Sequence, residues 1–247
     1  MTQRTAPSTV PVGTRADAHR SIGPHAGTDD PDQSTTTPPP ALADRTATGL
    51  LHQRILLLDR ELEQDNGAQL CAQLVLLAAE DPSRDITLLI NSPGGLVPAM
   101  LAIGDLMDVI PCDVRTVALG MAYSAGQYLL THGAPGKRFI LPHGRVLMHQ
   151  GSAGFGGSAA DIELQAEDLR RGRDLLIDIT AERTGQSREQ VARDSERDRT
   201  WEAPDAVEYG FCDHVVESLD QILPFGERRV AGARAGTRAG SPTGGAS

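Results

Sequence analysis

The stretch Val114-Arg115-Thr116-Val117-Ala118-Leu119-Gly120-Met121-Ala122-Tyr123-Ser124-Ala125-Gly126 reads as two halves. Its first six residues form an apolar, β-branched run of the kind that makes a buried strand. The run breaks at small residues and resumes as the helix-like Gln127-Tyr128-Leu129-Leu130. A strand-to-helix turn of small residues with one serine at its apex lifts the Ser124 hydroxyl clear of side-chain cover. It also aims the N-terminus of the next helix at whatever binds there. The nucleophile-elbow pattern GxSxG is not met, because Ala122 stands where the first glycine belongs. Taken alone, the turn reads better as a small-residue packing corner than as a catalytic one.

Outward from this turn, strands and helices alternate. Arg54 to Leu58 reads as a strand, and Asn66 to Glu80 as a helix with Leu70, Leu74, Leu77 and Ala78 on one face. A buried strand, Ile86 to Ile90, closes in Asn91-Ser92-Pro93-Gly94-Gly95. Pro98 to Val109 is a second helix, and Arg138 to Leu141 and Arg145 to Met148 are further strands. Strand–helix alternation with short links predicts an α/β domain around a largely parallel sheet. The longest helical stretch is Asp161 to Thr184, with Ser158 as its cap, Gly185 at C′ and an apolar stripe of Ile162, Leu169, Leu176 and Ile179. A helix so long and so charged is expected to project or to pack on another subunit. The preceding Gly151-Ser152-Ala153-Gly154-Phe155-Gly156-Gly157 is too glycine-rich for a core strand and suits an exposed segment that another backbone approaches. It lacks the Lys-Ser/Thr ending of a phosphate-binding loop.

Both ends of the 247-residue chain differ from this body. Residues 1–47 are rich in Thr, Ser, Pro, Asp and Gly, and are expected to be disordered or removed by processing. Residues 226–247 form a basic tail with Arg228, Arg229, Arg234 and Arg238, leaving one domain at 48–225. Aromatic residues make up only 3% of the chain against 39% hydrophobic residues, so the core is aliphatic. A net charge of -10 argues against nucleic acid and anionic membranes as partners. Cys71, Cys112 and Cys212 are odd in number and far apart, which suits buried reduced thiols better than disulfides or a metal pair. No stretch has the length of a membrane span or the h-region of a signal peptide, and the cytoplasm follows by default.

A serine becomes a nucleophile only when a base takes its proton and an anion orients that base. Of the seven histidines, His149 ends the apolar strand Val146-Leu147-Met148 and would leave the same sheet edge as the Ser124 turn. A simple edge histidine fits this position equally well. Asp161, Asp194, Asp198 and Asp205 are all available as the orienting acid, and composition does not choose among them. Two backbone N–H groups for an oxyanion can come from the paired glycines of Asn91-Ser92-Pro93-Gly94-Gly95 and from Ala125, the residue after the serine.

Four motifs then fall into one order. INSPGG at Ile90 to Gly95, GMAYSAG around Ser124, LMHQ around His149 and RDSERDRTWEAPDAVEYGFCD at Arg193 to Asp213 resemble the proteolytic subunits of the Clp protease, in sequence and in spacing, from about Leu50 to Glu217. The resemblance implies a Clp/crotonase-type α/β spiral of β-β-α units with a protruding handle helix. It implies Ser124 as nucleophile, His149 as general base and Asp198 as its orienting carboxylate, with Gly95 and Ala125 as oxyanion donors. Arg197 would link oligomerisation to triad alignment, and Gly154, Phe155, Gly156 and Gly157 would bind the substrate backbone as an added strand. The implied assembly is two stacked heptameric rings, homomeric or mixed, fed with unfolded polypeptide by a Clp-type AAA+ ATPase. That partner would hydrolyse the ATP, since this chain has no Walker motif; no cofactor or metal is expected of the chain itself.

The pattern has departures. His149-Gln150-Gly151 lacks the family's proline after the glutamine. Thr87, Leu89 and Val109 replace aromatic residues of the face that receives the ATPase, although Phe139 remains. No counterpart of the axial-pore hairpin precedes Leu50. These departures raise the alternative of a weakly active or regulatory subunit in a mixed ring. A crotonase-like acyl-CoA enzyme is a further alternative, and the Ser124, His149 and Asp198 match counts against it.

Overall fold

The computed structural model describes residues 42–151 and 156–222. In chain order these build α1 (Leu42–His52), β1 (Ile55–Leu58), α2 (Gln64–Glu80), β2 (Ile86–Ser92), α3 (Val97–Val109), β3 (Val114–Tyr123), α4 (Ala125–Thr131), β4 (Arg138–Ile140), β5 (Arg145–Met148), α5 (Ala159–Thr184), α6 (Arg188–Ser195), β6 (Arg199–Glu202), α7 (Ala203–Tyr209) and β7 (His214–Val215). The class is α/β: one sheet and seven α-helices among the described residues.

β3 is the axis of the sheet. The parallel order β1-β2-β3-β4-β7 runs through it, β5 also pairs with it, and β6 joins β5 antiparallel. One edge of β3 is shared by two strands in succession: Thr116–Ala118 pairs with Arg138–Ile140, and Met121–Tyr123 with Arg145–Leu147. β3 is thus longer than its apolar run suggests, continuing through Gly120, Met121 and Ala122 to Tyr123. The small residues do not end it, because Asn91 fills the register shift in β2, its carboxamide oxygen accepting the Met121 amide at 3.2 Å.

Alternation along the strands sorts the core into two faces. Ile86, Leu88, Ile90, Ala118 and Ala122 join the main cluster, to which α2 adds Leu70, Leu74 and Leu77, and α3 adds Met100, Ile103 and Met107. On the opposite face Val117, Phe139, Val216 and Ile222 form a smaller cluster, flanked by half-buried Leu89, Leu119 and Leu141. Leu89, Val117 and Phe139 are direct register neighbours. Thr87 lies fully buried beside them, while Val109 stands exposed at the end of α3.

Other expectations shift in detail. The helix α1 begins at Leu42, inside the stretch expected to lack structure, because Leu51 packs on the core. Residues 1–41 and the tail from 223 lie outside the described residues. The strand β6 and helices α6 and α7, unread in the sequence, are short and polar on their outer faces. α5 carries the expected capping box, with Ser158 Oγ donating to Asp161 Oδ2 at 2.7 Å, and ends at Gly185 with φ 75°. Of its stripe, Leu176 and Ile179 reach the core, whereas Ile162 and Leu169 are exposed. Cys112 and Cys212 are buried thiols as expected, but Cys71 is only half-buried.

Arg54, expected to open the first strand, instead precedes it with φ 61° and a buried side chain. Its guanidinium donates to the carbonyls of Leu77 at 2.8 Å and of Asp81 and Arg84 at 2.9 Å, satisfying the end of α2 and the turn into β2. Arg54→Met is expected to lower the unfolding free energy by roughly 3–5 kcal/mol, since the charge-assisted bonds that tie the end of α2 to the turn before β2 are lost. A denaturant titration checks this as a lower midpoint at unchanged slope, and Arg54→Lys should recover only part, because an ammonium cannot span the same carbonyls.

Candidate active site

The turn at the end of β3 holds Ser124 at φ 53° and ψ -112°, a left-handed conformation that a serine rarely adopts. Its amide donates to the Leu147 carbonyl at 2.8 Å, and its carbonyl accepts the Tyr128 amide at 3.1 Å. The residue is therefore the last rung between β3 and β5 and the N-cap of α4 at once. Ala125 opens α4, where an amide has no acceptor one turn earlier in the helix.

Behind the serine runs Gly94-Gly95, with φ 118° and 143°. A Cβ on Gly94 would stand 2.8 Å from Ser124 Cβ and 3.3 Å from its Oγ. A Cβ on Gly95 would stand 2.1 Å from the Leu62 carbonyl oxygen. Leu62 fixes this segment as an isolated parallel bridge: its amide donates to Gly94 O at 2.7 Å, and its carbonyl accepts Leu96 N at 2.8 Å. That pairing leaves the Gly95 amide out of the ladder. Leu62 is a buried core side chain, and nothing in the sequence marks the bridge that its backbone makes.

His149 follows the last residue of β5 and Asp198 immediately precedes β6, so the antiparallel β5–β6 pairing brings them together. His149 Nδ1 lies 3.4 Å from Asp198 Oδ1, within ion-pair reach though longer than a well-formed hydrogen bond. The other acids are engaged elsewhere or lie apart. Asp161 caps α5, where the Ser158 hydroxyl holds its pKa below the usual carboxylate range. Asp194 is buried against Gln190, Tyr209 and Arg199. Asp205 sits in the first turn of α7.

Ser124 and His149 line the same cleft, together with Gly95. The remaining wall is largely apolar: Val97 and Met100 from α3, Tyr128 from α4, Met148 from β5, and Leu176, Ile177 and Thr180 from α5. Such a wall suits an uncharged side chain placed beside the serine. The sequence stripe of α5 pointed to Leu176 but not to Tyr128, which periodicity alone assigns to the core. Arg197 is exposed, as are Gly156 and Gly157, while Gly154 and Phe155 lie outside the described residues. Among the described residues no group of three metal-ligating side chains converges. No helix there is long and apolar enough to cross a membrane.

Tyr128 stacks on His132 with ring centroids 4.1 Å apart. Its hydroxyl is buried without a hydrogen-bond partner, and burial pushes its pKa up to about 12. Burial also lowers the pKa of His132, whose Nδ1 lies 3.1 Å from the Tyr128 carbonyl.

The family model described as Clp protease matches residues 41–219. An ATP-dependent Clp protease proteolytic subunit 1 of Streptomyces avermitilis is 51% identical over 214 residues, covering 87% of this chain and 96% of that protein. A proteolytic subunit 3 of Streptomyces coelicolor is 50% identical over 196 residues, or 79% of this chain and 90% of that protein. A proteolytic subunit 2 of Corynebacterium diphtheriae is 51% identical over 182 residues, or 74% and 92%.

Because the Tyr128 hydroxyl is desolvated and unpaired, Tyr128→Phe is expected to leave stability unchanged or raise it by up to about 1 kcal/mol. A higher or equal thermal midpoint checks this; a clear drop would mean that the hydroxyl has a partner.

Proposed function

Because the chain belongs to the Clp protease family, we propose that it is an ATP-dependent Clp proteolytic subunit, a serine endopeptidase working through Ser124, His149 and Asp198. The observation that carries the site assignment is the convergence of Ser124 and His149 on one cleft, with Asp198 on the Nδ1 side of the imidazole. A carboxylate there fixes the tautomer that carries its proton on Nδ1 and leaves Nε2 as the base.

Ser124 Oγ attacks the scissile carbonyl carbon while His149 Nε2 takes the hydroxyl proton. The carbonyl oxygen becomes an oxyanion held by the Gly95 and Ala125 amides, each donor worth roughly 3–4 kcal/mol in the transition state. Asp198 stabilises the imidazolium and stays ionised. As the tetrahedral intermediate collapses, His149 passes its proton to the leaving amine, and an acyl ester remains on Ser124. Water, deprotonated by the same imidazole, attacks that ester, and as the Ser124 Oγ–acyl bond breaks His149 returns the proton to Oγ and the new carboxyl end is released. No metal or cofactor takes part in these steps. The cleft wall of Val97, Met100, Leu176 and Ile177 receives an apolar side chain next to the cut bond.

The chain works as part of an oligomer with a Clp ATPase. We assign the assembly to two stacked rings of seven, joined through α5, whose exposed Ile162, Leu164 and Leu169 await cover. Arg197, beside Asp198, would align the triad across that contact, and the glycine-rich segment through Gly154, Phe155, Gly156 and Gly157 would hold the substrate backbone. The ATPase supplies nucleotide hydrolysis and unfolded polypeptide, which places the reaction in the cytoplasm, where ATP is available.

The test is hydrolysis of a fluorogenic peptide by the full chain in the assembly it forms. Ser124→Ala and His149→Ala are each expected to lower kcat by about 10⁶, and Asp198→Asn by about 10⁴. Undiminished cleavage by Ser124→Ala would overturn the reading.

A further inference from the structure

Asp198 cannot hold itself in place. Its side chain is 76% exposed and its ion pair with His149 spans 3.4 Å. An exposed pair of that kind gains little and pays side-chain entropy to stay ordered. The order has to come from the backbone that carries it, the end of α6 at Ser195 and the short link Glu196-Arg197-Asp198 into β6.

The two ends of that segment are joined to each other. On the N-terminal side, Asp194 is 7% exposed. Its carboxylate accepts from Gln190 Nε2 at 2.7 Å, from the Tyr209 hydroxyl at 3.0 Å and from the Arg199 guanidinium. On the C-terminal side, Arg199 lies 4.8 Å over the Trp201 ring and is the register partner of Met148, the residue before His149. The Ser195 carbonyl accepts the amide of Gln150, the residue after His149, at 2.8 Å. His149 is thereby tied on both sides to the segment that Asp194 and Arg199 close.

We propose that Asp194 and Arg199 are positioning residues for hydrolysis: their ion pair clips shut the loop that presents Asp198 to His149. The inference rests on reading Ser124, His149 and Asp198 as one triad. A buried carboxylate with three donors in place differs from a solvated surface charge, because its partners fix its position rather than merely neutralise it. With the clip open, Asp198 spends less time on the imidazole. The imidazolium is then less stabilised, and the base draws the serine proton with less driving force.

The experiment measures phosphonylation of Ser124 by a fluorophosphonate probe in the full chain, at limiting and saturating probe, from about pH 5 to pH 9. Arg199→Gln leaves Asp194 its bonds to Gln190 and Tyr209, and the thermal midpoint reports that the fold is kept. The saturating rate is expected to fall about tenfold or more, with the half-saturating probe concentration unchanged. The acid limb of the profile is expected to move to lower pH, and Arg199→Lys to recover part of the rate. Tyr209→Phe trims the same carboxylate from inside and should move the limb the same way, by less. An unchanged rate in Arg199→Gln, or a fall with the acid limb in place, overturns the inference, the latter marking a merely structural pair. Labelling that survives Ser124→Ala, or is indifferent to Asp198→Asn, would instead take down the triad reading beneath it. Dependence on Asp198 with indifference to Arg199 sinks the clip alone.

Discussion

One residue carries a backbone that the chain would not adopt by itself. At φ 53° and ψ -112°, Ser124 sits where a side chain crowds its own carbonyl, at a cost of about 1–3 kcal/mol. Such a conformation persists only where the surroundings over-determine it. Here its amide is pinned to Leu147 and its carbonyl to Tyr128, so strand and helix both pull on the same peptide unit. The need to reach Leu147 explains why β3 runs on past its apolar stretch to Tyr123, and why Asn91 is spent on supporting the passage through Gly120. The same need explains the glycines behind the turn, since any side chain at Gly94 would occupy the serine's own space.

The polar half of the site is built differently. Nothing strained holds His149 or Asp198; they meet because β5 and β6 pair antiparallel and present neighbouring ends. Further ion pairs support the sheet edge that those strands leave. Arg138 grips Asp213 through three contacts between 2.6 and 3.1 Å, and also donates to the carbonyls of Arg183 and Gly210 at 3.0 Å. Arg138 thus fastens the end of α5 and the start of β7 to β4. Burial alone would raise the pKa of Asp213, but the Arg138 bonds outweigh it and hold the carboxyl below its usual range. The site combines a stiffly held Ser124 with a His149–Asp198 pair whose alignment is inherited from its neighbours.

Apolar periodicity made the parallel core and the helices α2, α3 and α5 legible before any coordinates, because burial of one face leaves a repeat in the sequence. The cap of α5 was legible for the same reason: Ser158, Asp161 and Gly185 act locally. The serine apex could be read as a turn but not as a strained one, since strain is decided by Leu147, over twenty residues away. Long-range partners account for the other misses. Arg54 looks like a strand residue until the end of α2 arrives to use its guanidinium. Leu62 matters through its peptide group, which leaves no trace in side-chain pattern. Among Asp161, Asp194, Asp198 and Asp205 the residues alone offered no choice; three-dimensional proximity to His149 separates Asp198 from the rest. β6 escaped notice because only Trp201 of its four residues is buried.

Hydrolysis at this site needs an imidazole on the Ser124 oxygen and two amides on the carbonyl oxygen of the bond it attacks. A structure of the assembled protein with a peptidyl boronate tests this most directly. The expected result is a tetrahedral boron bonded to Ser124 Oγ, one boronate oxygen about 2.7–3.1 Å from the amide nitrogens of Gly95 and Ala125, and His149 between the adduct and Asp198. Boron bound at another residue, or an adduct on Ser124 whose oxygens face away from both amides, would contradict it.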